Sequence, residues 1–322
     1  MHALVTGGAG FIGSHLVERI LRDGHSVTAV LKPGESEENL AGLAVRKITC
    51  DVLNEQALAE SCAGVDIIFH LAARTDLDGK ALSDYDVNLR GTENIVAAAE
   101  VHAVKRLVFY SSMLAVPLTG RIDAISEDFS AAATSYYGMS KREGERIVST
   151  GQIPWTVIRP TLVFGPRECS TMRAFFCAVK RRQFMLIGPD VWQSFVYVKN
   201  LVEATYVAAL APEAAGQIFF VSDERPYTLA EFASAAAKAL KVGLIPIRLP
   251  RSIAMLIAYI LGAVKYLFRI PVPLTPSRVR TMTTHYVYSI EKARRLFGYR
   301  APYDLAVAVR ETAIWYEERQ LL

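Results

Sequence analysis

The chain predicts an α/β fold, a doubly wound parallel sheet followed by a smaller, mostly helical C-terminal part. Three observations carry that reading. Short apolar runs alternate with helix-period segments through the first half. Three glycines, Gly7, Gly10 and Gly13, stand between the first such run and the first helix. Of the 322 residues, 52% are apolar and 21% charged, which can cover both faces of a parallel sheet and excludes a disordered chain.

The elements follow in order. His2–Thr6 reads as a strand, the glycines as a turn, and residues 14–21 as a helix ended by Gly24. Further strands are expected at 26–31, 45–49, 66–71, 106–111 and 155–159, with helices at 55–62 and 92–101. Strand, glycine turn and helix make a Rossmann-type unit. Glycines three apart let the backbone turn tightly, approach a pyrophosphate and pack helix on strand; a turn that binds nothing is the alternative. The dinucleotide-binding part is expected over 1–162, with segments returning near 191–222, and the substrate part over 163–322. Residues 195–198 and 218–221 are expected to rejoin the sheet.

The end of the second strand chooses the cofactor. An acidic residue there bonds the adenosine ribose hydroxyls, but this chain has Lys32. A cation suits a 2′-phosphate, so NADP(H) is favoured; NAD(H) stays open if Lys32 is a solvated surface lysine. Asp51, past the third strand, meets the adenine edge or caps the turn after it. The cysteines Cys50, Cys62, Cys169 and Cys177 form no C-x-x-C pair and read as reduced thiols of a cytoplasmic chain, with no metal. Apolar strand residues begin almost at Met1, so no signal peptide is expected. A net charge of +4 is too mild to predict nucleic-acid binding.

Tyr137 and Lys141 stand at i and i+4, on one face if the segment is helical. A phenol with a pKa of about 10 is a poor acid/base at neutral pH, and a nearby ammonium stabilises its phenolate. The fifth strand runs into Ser111-Ser112, 25 residues before Tyr137 in the case of Ser112. A hydroxyl at a strand end can meet a substrate carbonyl, or only turn the backbone. Tyr136 competes as the phenol but has Ser140, not lysine, four residues on.

These segments, with His70-Leu71-Ala72-Ala73, Val87-Asn88, Gly91-Thr92-Glu93-Asn94, Val104-Lys105-Arg106 and Arg159-Pro160, resemble the extended short-chain dehydrogenase/reductases. That group holds nucleotide-sugar epimerases, dihydroflavonol reductases and 3β-hydroxysteroid dehydrogenases. The resemblance implies that Tyr137 is the general acid/base, that Lys141 lowers its pKa and bonds the nicotinamide ribose, and that Ser112 bonds the reacting oxygen. It also implies that Phe11, Ile12, Val52, Leu71, Ala72, Ala73 and Pro160 join the glycines, Lys32 and Asp51 around the dinucleotide. Two departures are visible. Tyr197-Val198-Lys199-Asn200 replaces the family's His-Val-Asp-Asp, and Val116-Pro117 replaces an aromatic-glycine pair common in sugar epimerases.

Residues 232–290 contain no Asp or Glu and eight cations, a local charge of +8 that leaves −4 for the remainder. Within it, 253–264 is apolar on every face and followed by Lys265, Tyr266 and Arg269. Twelve residues are too few to span a bilayer. The segment suits peripheral membrane contact through 251–270, a buried helix or a homodimer contact. Residues 274–279, 288–293, 297–300 and 312–316 are similar to the 3β-hydroxysteroid dehydrogenase branch, which acts on sterol-like or other greasy alcohols and ketones. The expectation is an NAD(P)-dependent oxidoreductase interconverting a secondary alcohol and a ketone on a hydrophobic substrate. A nucleotide-sugar epimerase or dehydratase, and a non-catalytic NADP-binding sensor or scaffold, are the alternatives.

Overall fold

The computed structural model describes residues 1–322 except positions 246, 269–271 and 273 and the side chains of 264–266 and 268. The first half alternates β1 (His2–Thr6), α1 (Phe11–Arg22), β2 (Ser26–Leu31), β3 (Arg46–Thr49), α2 (Glu55–Ser61), β4 (Ile67–His70), α3 (Asp86–Val101), β5 (Arg106–Tyr110), α4 (Tyr136–Thr150) and β6 (Trp155–Pro160). Then come β7 (Leu162–Phe164), α5 (Thr171–Lys180), β8 (Leu186–Ile187), β9 (Trp192–Gln193), β10 (Phe195–Tyr197), α6 (Val198–Leu210), β11 (Gln217–Val221), β12 (Tyr227–Thr228) and α7 (Leu229–Ala239). The chain closes with β13 (Arg248–Leu249), α8 (Arg251–Phe268), α9 (Pro276–Met282), α10 (Glu291–Phe297) and α11 (Leu305–Glu318).

Seven strands form one parallel sheet in the order β11-β6-β5-β4-β1-β2-β3. Ala3, Leu4 and Val5 are fully buried, because helices cover both faces of the sheet. On one face α2, α3 and α4 pack with Leu4, Ile68 and Leu107; on the other, α1 and α6 pack with Val5, Phe69 and Val108. The chain winds outward from β1 to β3, then crosses back to β4. A crevice therefore opens between the carboxyl ends of β1 and β4.

Two expectations about elements need correction. The helix expected at 92–101 begins at Asp86. In its first turn Asn88 is buried, accepting from the Arg74 N–H at 2.8 Å and donating to Ser140 Oγ at 2.9 Å. Side-chain hydrogen bonds hold a turn that apolar periodicity cannot reveal. Residues 195–198 do not rejoin the main sheet: β10 pairs in parallel with β7 instead, and Val198 opens α6. The edge beside β6 is already taken by β11.

Phe232 of α7 and Ala308, Val309, Ala313 and Tyr316 of α11 join the same apolar cluster as β1 and α1. Helix α8 stands apart. Its small residues Ala254 and Ala258 pack on Ile187 and Val279, while Ile253, Leu256, Tyr259, Ile260 and Leu267 are exposed. A segment apolar on every face is thus buried along its alanine side only. Among the described residues no helix is long and apolar enough to cross a membrane. The side chains of Lys265 and Tyr266, and Arg269 altogether, lie outside the described residues.

Candidate active site

The crevice is tied together at Thr6, the last residue of β1. Its hydroxyl accepts the N–H groups of Leu71 and Ala72, each at 3.1 Å, and lies 2.8 Å from His70 Nδ1. Burial pushes the His70 pKa down to about 3, so the imidazole is neutral and serves as a hydrogen-bonding strut. Gly7 follows at φ +67°, a backbone conformation that favours glycine. A Cβ on Gly13 would stand 2.1 Å from the Gly7 carbonyl oxygen, closer than any side chain permits. Helix α1 therefore starts hard against the end of β1.

A cavity of about 840 Å³ runs along the carboxyl edge of the sheet. Its wall brings together every site residue expected from the sequence: Gly7, Gly10, Phe11, Ile12, Gly13, Lys32, Asp51, Val52, Leu71, Ala72, Ala73, Ser112, Tyr137, Lys141 and Pro160. The glycine end fits a dinucleotide. Helix α1 begins there with no side-chain cap and no acidic residue in its first turn, so its N–H groups and dipole are open to an anion. Asp51 meets the wall and also accepts the Leu53 N–H at 2.9 Å, whereas the cap of α2 is Asn54.

The chemistry-bearing groups lie where β5 ends against α4. Ser112 caps a short turn by accepting the Leu114 N–H at 3.1 Å, and its hydroxyl stands beside the Tyr137 phenol on the cavity wall. Gly138 makes that contact possible: a Cβ there would sit 2.1 Å from the Leu114 carbonyl oxygen, so only a residue without a side chain lets α4 close on the turn. Tyr137 is buried and Tyr136 exposed, which decides between the two phenols. Ser111 turns the other way and donates to Glu145.

Lys141 lies one turn along α4 from Tyr137, 3% exposed, and donates from Nζ to the Tyr110 carbonyl at 2.8 Å. Burial lowers its pKa to about 8, against the raising influence of Glu145. In the empty site burial pushes Tyr137 up to about 12, with the Ser112 hydroxyl pulling it down.

Three carboxylates escaped the sequence reading. Glu145 holds Arg159 through two hydrogen bonds of 2.7 and 2.8 Å, both side chains buried. The signal was present, since Tyr137, Lys141 and Glu145 are spaced four apart on α4. Glu35 lines the cavity beside Lys32 and accepts the Lys32 backbone N–H at 3.1 Å. Glu168 lines the wall and closes the N-terminus of α5, accepting the N–H groups of Ser170, Thr171, Met172 and Arg173 at 2.9–3.1 Å. Nothing local in the sequence announces it.

A doubly wound sheet with an open glycine-helix start, and a buried phenol, hydroxyl and ammonium beside it, defines a nicotinamide-dependent oxidoreductase of the extended short-chain dehydrogenase/reductase type. Within that class the chain belongs to the 3-beta hydroxysteroid dehydrogenase/isomerase family, whose model matches residues 4–251. It is 29% identical to the 3beta-hydroxysteroid-dehydrogenase/decarboxylase isoform 1 of Arabidopsis thaliana, covering 96% of this chain and 78% of that one. It is 30% identical to the 2-alkyl-3-oxoalkanoate reductase of Stenotrophomonas maltophilia, over 93% and 94% of the two chains. A UDP-glucose 4-epimerase of Thermotoga maritima, solved with UDP-glucose, superposes with a TM-score of 0.79 at 20% identity, covering 99% of this chain and all of that one. At that identity the likeness is one of fold.

Proposed function

We propose that the protein interconverts a secondary alcohol and a ketone on a hydrophobic, sterol-like or long-chain substrate, with NADP(H) as the preferred cofactor. The observation that carries this reading is the Ser112–Tyr137 contact, with Lys141 on the next turn, on the wall of a cavity whose glycine end suits a dinucleotide. A nicotinamide held along this wall would supply or accept the hydride. Tyr137 moves the proton at the reacting oxygen and Ser112 donates a hydrogen bond to that oxygen. Lys141, held on the Tyr110 carbonyl, would bind the nicotinamide ribose.

A neutral, greasy substrate is favoured over a nucleotide sugar by the charges on the wall. Arg74, the one arginine among the described lining residues, is engaged by Asp76 at 2.7 and 3.1 Å. The second helix N-terminus at the cavity is sealed by Glu168, and Leu162, Val163 and Met172 supply apolar wall. The substitutes at positions 197–200 are structural: Lys199 pairs with Glu311 at 2.6 Å, and the Asn200 amide bonds Asp223 and the Tyr303 carbonyl. The relatives named for sterol and oxoalkanoate substrates point the same way.

Lys32 supports NADP(H) because it is exposed on the wall beyond β2. Glu35 favours a second reading, NAD(H), since a carboxylate beside Lys32 can accept from ribose hydroxyls. Turnover of a 3-hydroxysteroid or a 2-alkyl-3-oxoalkanoate with each cofactor tests the proposal. Tyr137→Phe is expected to lower kcat by roughly a thousandfold and to leave the NADPH dissociation constant within a few-fold. A near-normal kcat in that variant rejects the acid/base assignment.

A further inference from the structure

Three consecutive residues at the end of β5 meet three residues of α4 that stand one turn apart. The Tyr110 carbonyl holds Lys141 Nζ at 2.8 Å, the Ser111 hydroxyl donates to Glu145, and Ser112 stands beside Tyr137. From this pairing we infer that Glu145 is a positioning residue for Lys141, an assignment that rests on Lys141 binding the nicotinamide ribose as proposed above. It fixes the strand end to the helix and sets a countercharge one turn behind the ammonium.

Glu145 is buried behind the wall that Tyr110, Ser111 and Lys141 line, so it acts through other residues. Its carboxylate takes the Ser111 hydroxyl on Oε1 and the Arg159 guanidinium on both oxygens, at 2.8 and 2.7 Å. Arg159 in turn lies over the Phe220 ring at 5.2 Å. One carboxylate thus ties α4 to β5, to β6 and, through the guanidinium, to β11.

A buried ion pair is a poor device for stability alone, because desolvation offsets most of the attraction. Its place beside the lysine gives it another task. Lys141 Nζ lies 5.2 Å from the Phe109 ring, and burial lowers its pKa to about 8 even with Glu145 raising it. Also facing the lysine are Tyr137 on the same helix, the neutral His70 of β4, and Arg159 beyond Glu145. Among the described residues Glu145 is the carboxylate that favours the charged lysine. The hold of Arg159 on both of its oxygens keeps it from drawing the ammonium off the Tyr110 carbonyl.

The NADPH dissociation constant of the full chain, followed against pH by fluorescence titration, reads the lysine charge without any substrate. Wild-type affinity is expected to weaken as the pH passes about 8. Glu145→Gln alone strands a buried guanidinium, so Glu145→Gln/Arg159→Met removes both charges together. That variant should bind NADPH within about threefold of wild type near pH 6 and lose affinity from about pH 7 upward, roughly fivefold weaker than wild type near pH 8. Glu145→Gln/Arg159→Gln, which can pair amide to amide, gives the same readout where the first variant does not fold. Ser111→Ala loosens the same contact but keeps the charge, and its midpoint should stay at the wild-type pH. A midpoint that stays near the wild-type value in the charge-free variants overturns the assignment, as does one that moves equally far in Ser111→Ala. So does wild-type affinity that is level across the alkaline range. These results stand apart from a failure of the oxidoreductase reading, which shows as a near-normal kcat in Tyr137→Phe whatever the pH profile of binding.

Discussion

Two helix N-termini reach the same cavity, and they are finished in opposite ways. Helix α1 starts at Gly10 with no side-chain cap and no acid in its first turn. Helix α5 starts under the Glu168 carboxylate, which takes four backbone N–H groups in succession. Unpaired N–H groups and the aligned peptide dipoles make any helix start a potential anion site. The first is left for a ligand's charge, and the second is neutralised from within the chain. Of the two helix starts only one is left open to an anion, which matches a single dinucleotide pyrophosphate better than two diphosphates side by side.

The largest way to break that asymmetry is at the open end. Gly13→Ala puts a methyl group 2.1 Å from the Gly7 oxygen, and α1 must shift off β1 to relieve it. NADPH affinity should fall about a hundredfold, close to 3 kcal/mol, read by fluorescence titration alongside urea unfolding. Glu168→Gln tests the sealed end. The amide keeps one acceptor oxygen and loses the other, so unfolding stability should drop by about 1–2 kcal/mol with the NADPH dissociation constant unchanged within threefold. A gain in nucleotide-diphosphate binding by that variant would further sharpen the contrast. The smallest effect is expected at the rim. Lys32→Asp exchanges an exposed cation for an anion and should move the NADP-to-NAD affinity ratio about tenfold toward NAD; a wild type that already prefers NAD would shift the weight to Glu35.

What the sequence made legible follows the backbone. The glycine spacing located β1, the turn and α1 because backbone geometry there admits few residues, and Tyr137 with Lys141 was visible because helical periodicity is local. The features it hid depend on distant partners. Asn88 extends α3 by bonding Arg74 and Ser140, residues 14 and 52 positions away. Phe195–Tyr197 pairs with Leu162–Phe164 because β11 claims the edge of the main sheet, a competition that no single segment displays. Glu168 looks like any loop carboxylate until α5 folds beneath it. The burial that raises the phenol's pKa in the empty site is likewise a property of the assembled fold, as is the hold of the Tyr110 carbonyl on Lys141.

The close approach at Gly138 turns the spacing between phenol and hydroxyl into a mechanical stop. One hydrogen atom stands between α4 and the Leu114 carbonyl, so the gap cannot be adjusted by degrees through a series of larger side chains. Any substituent wedges the two reacting groups apart at once. The neighbours Tyr136 and Met139 face outward and are free to drift in identity. A stretch of four residues thus carries both the least and the most replaceable positions of the proton-transfer machinery, and variation along this helix has to step around its second and third members.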